Sequence, residues 1–116
     1  MENKLEFENR LKDYIGNPYI VIFNNTKKAF EVAYEIIKKE KKESLTIICP
    51  VNCEIEKETV INADIDPNNG NIFMLSILDK LENNIIDAIQ VKHNGGRPVD
   101  LNDLINIQKK YNNIPI

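Results

Sequence analysis

The stretch H-N-G-G-R-P, residues 93 to 98, combines residue types that bind an anion. Its two adjacent glycines let a ligand approach the backbone N–H groups closely. Arg97, one of only two arginines in the chain, carries a planar, permanently charged guanidinium that suits phosphate or carboxylate. A predicted helix begins at Asp100, and the amides of a helix start favour negative charge. The candidate ligand-binding residues here are His93, Asn94, Gly95, Gly96 and Arg97.

Two other interpretations of this loop stay open. Asn-Gly is also the strongest short signal for a tight turn, in which case Arg97 is simply solvated. Alternatively, the guanidinium contacts nucleic acid, whose phosphates it can bind. The sequence does not decide among the three.

A second candidate site lies in F-N-N-T-K-K-A-F, after a predicted strand. In open α/β sheets, ligands bind outside the carboxyl ends of strands, close to helix N-termini. Its candidate ligand-binding residues are Asn25, Thr26 and Lys27, of which Thr26 and Lys27 suit a phosphate. The loop lacks the glycines of nucleotide-binding fingerprints, so capping of the next helix by Asn25 or Thr26 is the alternative.

Catalytic and metal-binding patterns are sparse. The sequence has no G-x-S-x-G or H-E-x-x-H motif. Cys49 and Cys53 have neither redox nor zinc-pair spacing, and with His93 as the only histidine a Cys/His metal cage is not expected. We therefore predict no catalytic residue, no metal and no cofactor, which favours a protein that is not an enzyme.

The overall composition is that of one globular domain, residues 1–116. The chain is 42% hydrophobic and 28% charged, and its abundant asparagine, isoleucine and lysine are typical of an AT-rich genome. A net charge of −3 argues against broad nucleic-acid binding. No segment has the apolar length of a membrane span and the charged start does not resemble a signal peptide, which predicts a cytoplasmic protein.

The N-terminal half predicts a βαβ unit. An amphipathic helix covers residues 3–15, followed by an apolar strand, Tyr19–Phe23. A helix from about residue 26 to 41 ends in lysines, which suit the negative end of its dipole. A second strand, Ser44–Cys49, is stopped by Pro50. This order predicts two parallel strands joined by a right-handed crossover.

The following segment predicts a strand, a turn and a helix. Glu58–Ile65 has the pattern of a weaker strand, and Asp66–Asn71 has the composition of a turn, with Asn71 as a possible helix N-cap. Ile72–Glu82 predicts a helix that is apolar around most of its circumference. Such a helix lies either in the core or at a subunit interface, so we expect a homodimer that associates through Ile72–Leu81.

The last segment contains one ambiguous element. Ile85–His93 is either a strand or a continuation of the preceding helix, and the two asparagines before it favour a strand. Leu101 to about Tyr111 predicts a final helix. Together, the elements predict a small three-layer α/β domain with a central, at least partly parallel sheet flanked by helices.

From Asp64 onward, the order of motifs resembles the C-terminal part of serine recombinases (resolvases). The motifs are D-I-D-P-N-N-G, the apolar segment that begins at Asn71, and G-R-P at residues 96–98. The family's Y-x-R-x-S motif has no match in Y-I-V-I-F-N-N-T. The resemblance implies a DNA-binding accessory protein without strand-transfer activity, in which Arg97 enters a minor groove.

The leading functional hypothesis is a small non-enzymatic module that binds an anionic or nucleotide-like ligand as a homodimer. It depends on the two loops at helix starts, on Arg97 and on the apolar helix that begins near Ile72. The alternatives are the resolvase-like DNA-binding protein and a protein-interaction or inhibitor domain that uses the apolar helix. No membrane partner is expected.

Overall fold

The computed structural model describes residues 2–38, 44–51, 55 and 58–116. The chain divides into two compact units, Met1–Ile37 and Lys38–Ile116. We call these the N-terminal unit and the C-terminal unit. The prediction of a single domain stays a prediction.

The N-terminal unit is helical. Helix α1 spans Glu2–Ile15 and helix α2 begins at Thr26 and ends at Lys38. The predicted strand Tyr19–Phe23 is wrong, because this segment has no strand partner among the described residues. A strand needs a neighbour to satisfy its backbone hydrogen bonds. The predicted βαβ unit is therefore wrong as well.

The start of α2 confirms the predicted cap. Asn25 Oδ1 accepts a hydrogen bond from the Lys28 N–H at 2.8 Å, which satisfies one of the free amides of the first turn. The apolar stripe of this helix remains partly exposed, and no described residue of α2 is fully buried.

The C-terminal unit contains a three-stranded parallel sheet. Its strands are β1 (Thr46–Pro50), β2 (Thr59–Ala63) and β3 (Ala88–Ile89), and β1 lies in the middle. In the register, Ile48 is opposite Ile61 on one side and Ile89 on the other. The α/β class and the parallel sheet are confirmed. Pro50 was expected to stop β1 but is its last residue.

Two helices follow the sheet strands, α3 (Met74–Asn83) and α4 (Leu101–Lys110). Asp100 caps α4 by accepting a hydrogen bond from the Asp103 N–H at 3.1 Å. The suggestion that Asn71 caps α3 is wrong: the N-cap is Phe73, which makes no side-chain capping bond. A short 3-10 turn, Asn94–Gly96, lies between β3 and α4.

One hydrophobic core joins the sheet to α3 and α4. Helix α3 contacts β2 and α4, and it contributes Ile77 and Leu81 to the core. The buried residues of this core are Ile48, Ala63, Ile72, Ile77, Leu81, Ile89, Val99, Leu104, Ile107 and Ile114. Burial of these side chains is the main driving force for the fold. No helix in the described part of the chain has the length and apolarity to cross a membrane.

Carboxylates hold the start of β1. Glu58 Oε1 accepts the Leu45 N–H at 2.8 Å, and Asp87 Oδ2 accepts the Thr46 N–H at 2.8 Å. The other oxygen of Glu58, whose side chain is 2% exposed, lies 2.7 Å from the ammonium of Lys38, whose side chain is 16% exposed. This buried pair fixes where the sheet begins.

Candidate functional site

A buried asparagine joins the loops that follow β2 and β3. Asn71 is only 4% exposed, and its Oδ1 accepts the Asn94 N–H at 2.7 Å. Its Nδ2 donates to the carbonyls of Arg97 at 3.0 Å and Pro98 at 3.2 Å. All polar atoms of the buried side chain are therefore used, as a low-dielectric interior requires. We call this set of bonds the Asn71 clip.

Gly70 makes the close approach of the two loops possible. Asn94 Nδ2 donates to the Asn69 carbonyl at 3.2 Å, and a Cβ on Gly70 would overlap that amide group. The φ angle of Gly70 is also +73°, which side-chain-bearing residues rarely adopt. Both facts favour glycine at this position.

The loop H-N-G-G-R-P forms a tight turn. Gly95 and Gly96 have φ angles of 58° and 77°. The Gly96 N–H donates to the His93 carbonyl at 3.1 Å, and the Arg97 N–H donates to the Asn94 carbonyl at 3.0 Å. The amides of Asn94, Gly96 and Arg97 are thus used within the protein, so the loop is closed by its own hydrogen bonds.

The two charged or titratable side chains of this loop also bond to the backbone. His93 Nδ1 accepts the Val99 N–H at 2.9 Å. Arg97 Nη1 donates to the Asn68 carbonyl at 3.1 Å. Both residues are exposed, and Arg97 keeps further N–H groups. Ligand binding by residues 93–97 stays a prediction.

A shallow cleft of about 510 Å³ lies beside the Asn71 clip. It is lined by Asp66, Asn69, Asn71, Ile72, Phe73, Met74, Leu75, Pro98, Val99, Asp100 and Asp103. Its three aspartates give the cleft a negative charge, which repels phosphate. The cleft is therefore a poor place for the anionic ligand that the sequence suggested.

The second candidate site is the start of α2 in the N-terminal unit. Asn25, Thr26 and Lys27 are exposed, and the first turn of this helix contains no acidic residue. The helix dipole places partial positive charge at this end. An anion is therefore favoured by the dipole and by the lysine charge together. The expected position of this site at the carboxyl end of a strand is wrong, because residues 19–23 form no strand.

No metal centre is formed by the part of the chain that the structure describes. No group of three or more His, Cys, Asp or Glu residues is arranged there to hold an ion. Cys49 is a buried cysteine in β1, and its Sγ lies 3.5 Å from Asn62 Oδ1. Cys53 lies outside the described residues.

Sequence reasoning missed the role of the asparagines in P-N-N-G-N. Asn68, Asn69 and Asn71 each bond to the H-N-G-G-R-P loop, through a backbone carbonyl or a side chain. The cluster of asparagine and glycine did indicate a turn. It did not indicate contacts with another loop, because an AT-rich genome also explains many asparagines. Only the fold brings this turn next to Arg97.

Residues 2–116 match the DegT/DnrJ/EryC1/StrS aminotransferase family. The match covers nearly the whole chain, so the chain belongs to this family. No solved structure matches the chain significantly.

Two relatives from Campylobacter jejuni subsp. jejuni are each named a UDP-4-amino-4,6-dideoxy-N-acetyl-beta-L-altrosamine transaminase. The protein of serotype O:23/36 is 30% identical over 117 residues, which are 96% of this chain and 31% of that relative. The protein of serotype O:2 is 28% identical over 117 residues, with the same coverage. The chain therefore spans about a third of the length of these relatives.

The family assignment corrects two predictions. The resemblance to serine recombinases is wrong, because the match to an aminotransferase family covers residues 2–116. Short motifs such as G-R-P occur in unrelated families. The non-enzymatic ligand-binding module is also contradicted, and so are the DNA-binding and protein-interaction alternatives, because the family and both relatives are named for amino-group transfer.

Proposed function

We propose that this chain takes part in the transfer of an amino group to a nucleotide-linked sugar. The observation that carries the proposal is the family match over residues 2–116, supported by two relatives whose names specify a UDP-linked amino sugar. The chain spans 31% of each relative. We therefore propose the activity for the complete aminotransferase fold, to which this chain contributes.

Pyridoxal phosphate is the cofactor that this chemistry implies, since it supplies the electron sink for amino-group transfer. Its phosphate needs backbone amides, hydroxyls and positive charge. The start of α2 offers these groups through Asn25, Thr26 and Lys27, with no acidic residue in the first turn. We propose this helix start as the phosphate site. The residues fit this end of the cofactor.

The opposite end of the cofactor requires a lysine that attaches it and a charged partner for its pyridine nitrogen. In the described part of the chain, the Lys38 amine is held by Glu58 at the start of the sheet. Lys4 and Lys80 are paired with Glu8 and Asp79 near the surface. No lysine in the described part of the chain lines the acidic cleft, and we assign no described residue to covalent attachment.

We also propose self-association through the exposed side of α3. Phe73 and Leu75 are exposed, whereas Ile77 and Leu81 of the same segment face the core. This arrangement supports the expected homodimer contact at Ile72–Leu81, because exposed apolar patches mark interaction surfaces. A cytoplasmic location stays a prediction.

The phosphate site is tested by replacing Thr26 with valine, which has the same shape but no hydroxyl. We expect pyridoxal phosphate to bind the variant about tenfold more weakly, because a hydrogen bond to a charged group contributes about 1.5 kcal/mol or more. Equilibrium dialysis of the full chain, with inorganic phosphate as competitor, measures the change. Thr59→Val, an exposed β2 residue, is the matched control and leaves affinity unchanged.

Amino-group transfer is measured with pyridoxal phosphate, a UDP-linked 4-amino sugar and a 2-oxo acid. The full chain is assayed alone and together with a polypeptide that carries the other two thirds of the Campylobacter jejuni relative. This mixture runs the proposed transfer in reverse: we expect the 2-oxo acid to be converted to its amino acid while the 4-amino sugar becomes the 4-keto sugar. Absence of both cofactor binding and turnover under all these conditions contradicts the proposal.

A further inference from the structure

The sequence contains two Asn-Gly pairs, Asn69–Gly70 and Asn94–Gly95. Asparagine is a chemically labile residue. It is most labile before glycine, because glycine has no Cβ to shield its backbone nitrogen and its backbone bends freely. The two pairs lie in the two loops that the Asn71 clip joins, and they contact each other. The structure therefore allows a comparison of the same dipeptide in two different environments.

The reaction at such a pair is deamidation. The backbone nitrogen of the glycine attacks Cγ of the asparagine and forms an N–Cγ bond. The Cγ–Nδ2 bond breaks, and ammonia leaves with the proton of the glycine N–H. Water then opens the resulting succinimide ring. Cleavage at Cγ gives aspartate, whereas cleavage at the backbone carbonyl carbon gives isoaspartate, whose main chain runs through the former side chain.

In the pair Asn69–Gly70, hydrogen bonds hold both reacting groups. The Gly70 N–H donates to the Asp66 carbonyl at 2.7 Å, so the attacking nitrogen is occupied. Asn69 Oδ1 accepts the Asn71 N–H at 2.9 Å, which fixes the amide group that would be attacked. Both bonds must open before the ring can form, and such local opening costs free energy.

In the pair Asn94–Gly95, the attacking nitrogen has no such restraint. Within the described residues, the Gly95 N–H makes no hydrogen bond, although the N–H groups of Asn94 and Gly96 on either side are bonded. Gly95 is exposed, and the space that a Cβ would occupy is open. One hydrogen bond holds the Asn94 amide group, from Nδ2 to the Asn69 carbonyl at 3.2 Å. Asn94 is therefore the more reactive of the two asparagines.

The products cannot keep the contacts that Asn94 makes. In aspartate, an oxygen replaces Nδ2 opposite the Asn69 carbonyl, so a donor and an acceptor become two acceptors. In isoaspartate, an additional main-chain atom displaces the Asn94 carbonyl, which accepts the Arg97 N–H at 3.0 Å. Either product also adds a negative charge beside a cleft that is already lined by three aspartates.

We propose that Asn94 is a deamidation site, and that its conversion to aspartate or isoaspartate releases the loop H-N-G-G-R-P from the Asn71 clip. The proposal rests on the geometry of the two loops and on neither the family assignment nor the proposed activity. Because the ammonia is lost, the change does not reverse by itself. The loop thus changes irreversibly as the protein ages.

The test incubates the full chain in mildly alkaline buffer and follows both asparagines by peptide mass spectrometry, with isoaspartate methyltransferase to detect isoaspartate. We expect Asn94 to react at least about tenfold faster than Asn69, because one more hydrogen bond must open at Asn69. In urea, which unfolds the chain, the two rates should become similar. Gly95→Ala is the matched control: its Cβ meets no neighbouring atom, but it shields the nitrogen, and the reaction at Asn94 should slow sharply.

Hydrogen exchange tests the release of the loop. In the deamidated chain and in Asn94→Asp, the Arg97 amide should exchange faster than in the fresh chain, whereas the amide of Ile48 at the centre of β1 should not change. Reaction at Asn69 as fast as at Asn94 in the folded chain overturns the assignment of the site. An unchanged Arg97 amide after deamidation, or equal acceleration at Ile48, overturns the release of the loop.

Discussion

The two compact units contain similar helices but differ in how those helices are stabilised. In the C-terminal unit, α3 and α4 bury apolar residues in a core shared with a parallel sheet. In the N-terminal unit, no residue from 3 to 37 is fully buried. Short helices are marginal in water without tertiary packing. Amphipathic sequence therefore specifies a helix in both units, but it specifies a core only where a sheet is present to receive the apolar face.

The largest expected difference between the units concerns core packing. Ile77→Ala in α3 removes a side chain that is 0% exposed, and we expect a loss of about 3–4 kcal/mol in the free energy of unfolding. Two variants at exposed positions serve for comparison, Ile36→Ala in α2 and Leu75→Ala in α3. Each should change the free energy of unfolding by less than about 0.5 kcal/mol. Urea unfolding monitored by circular dichroism measures all three. Equal losses at Ile36 and Ile77 would show that the N-terminal unit has a core of its own.

The next difference concerns ion pairs. Glu58→Gln removes the carboxylate charge that lies 2.7 Å from the largely buried Lys38 ammonium, and we expect a cost of about 2–3 kcal/mol. The counterpart in α1 is Glu6→Gln, which breaks an exposed pair with Arg10 and should cost less than about 0.5 kcal/mol. Lys38→Met together with Glu58→Gln should recover much of the stability, as measured by thermal unfolding. No recovery in the double variant would contradict the charge argument.

The smallest of the three differences concerns asparagine hydrogen bonds. Asn71→Ala removes the Asn71 clip and leaves the Asn94 N–H without its acceptor, which we expect to cost about 2 kcal/mol. Asn17→Ala in the N-terminal unit loses one exposed bond to the Tyr19 N–H and should cost about 0.5 kcal/mol or less. Hydrogen exchange at the Asn94 amide should become faster in Asn71→Ala and stay unchanged in Asn17→Ala. An unchanged Asn94 amide would mean that the clip does not hold the loop.

Predictions from the sequence were correct where all the residues that determine a feature are adjacent in the chain. The cap at Asn25, the turn Asp66–Asn71 and the start of α4 at Asp100 were all predicted from adjacent residues. Strands were predicted less well: β1 and β2 formed, whereas Tyr19–Phe23 did not. The reason is that a strand depends on a neighbour far away in the sequence.

The candidate site could be predicted from the sequence less completely than the helices and turns, because its contacts join residues that are distant in the chain. Arg97 was singled out for its type and its neighbours, but its bond to the Asn68 carbonyl joins positions that only the fold brings together. Asn71 was expected to cap a helix and is instead buried between two loops. Family membership, too, did not follow from the motifs considered; it rests on the match over residues 2–116.

By itself, the sequence determined the helices, the turns and the α/β class, since these follow from local conformational preferences and from the spacing of apolar residues. Tertiary structure alone decided which strands pair, which asparagines are buried and which apolar faces stay open. Those outcomes depend on contacts between distant residues, and a side chain's free energy in a contact is set by what lies opposite it rather than by its neighbours in the chain.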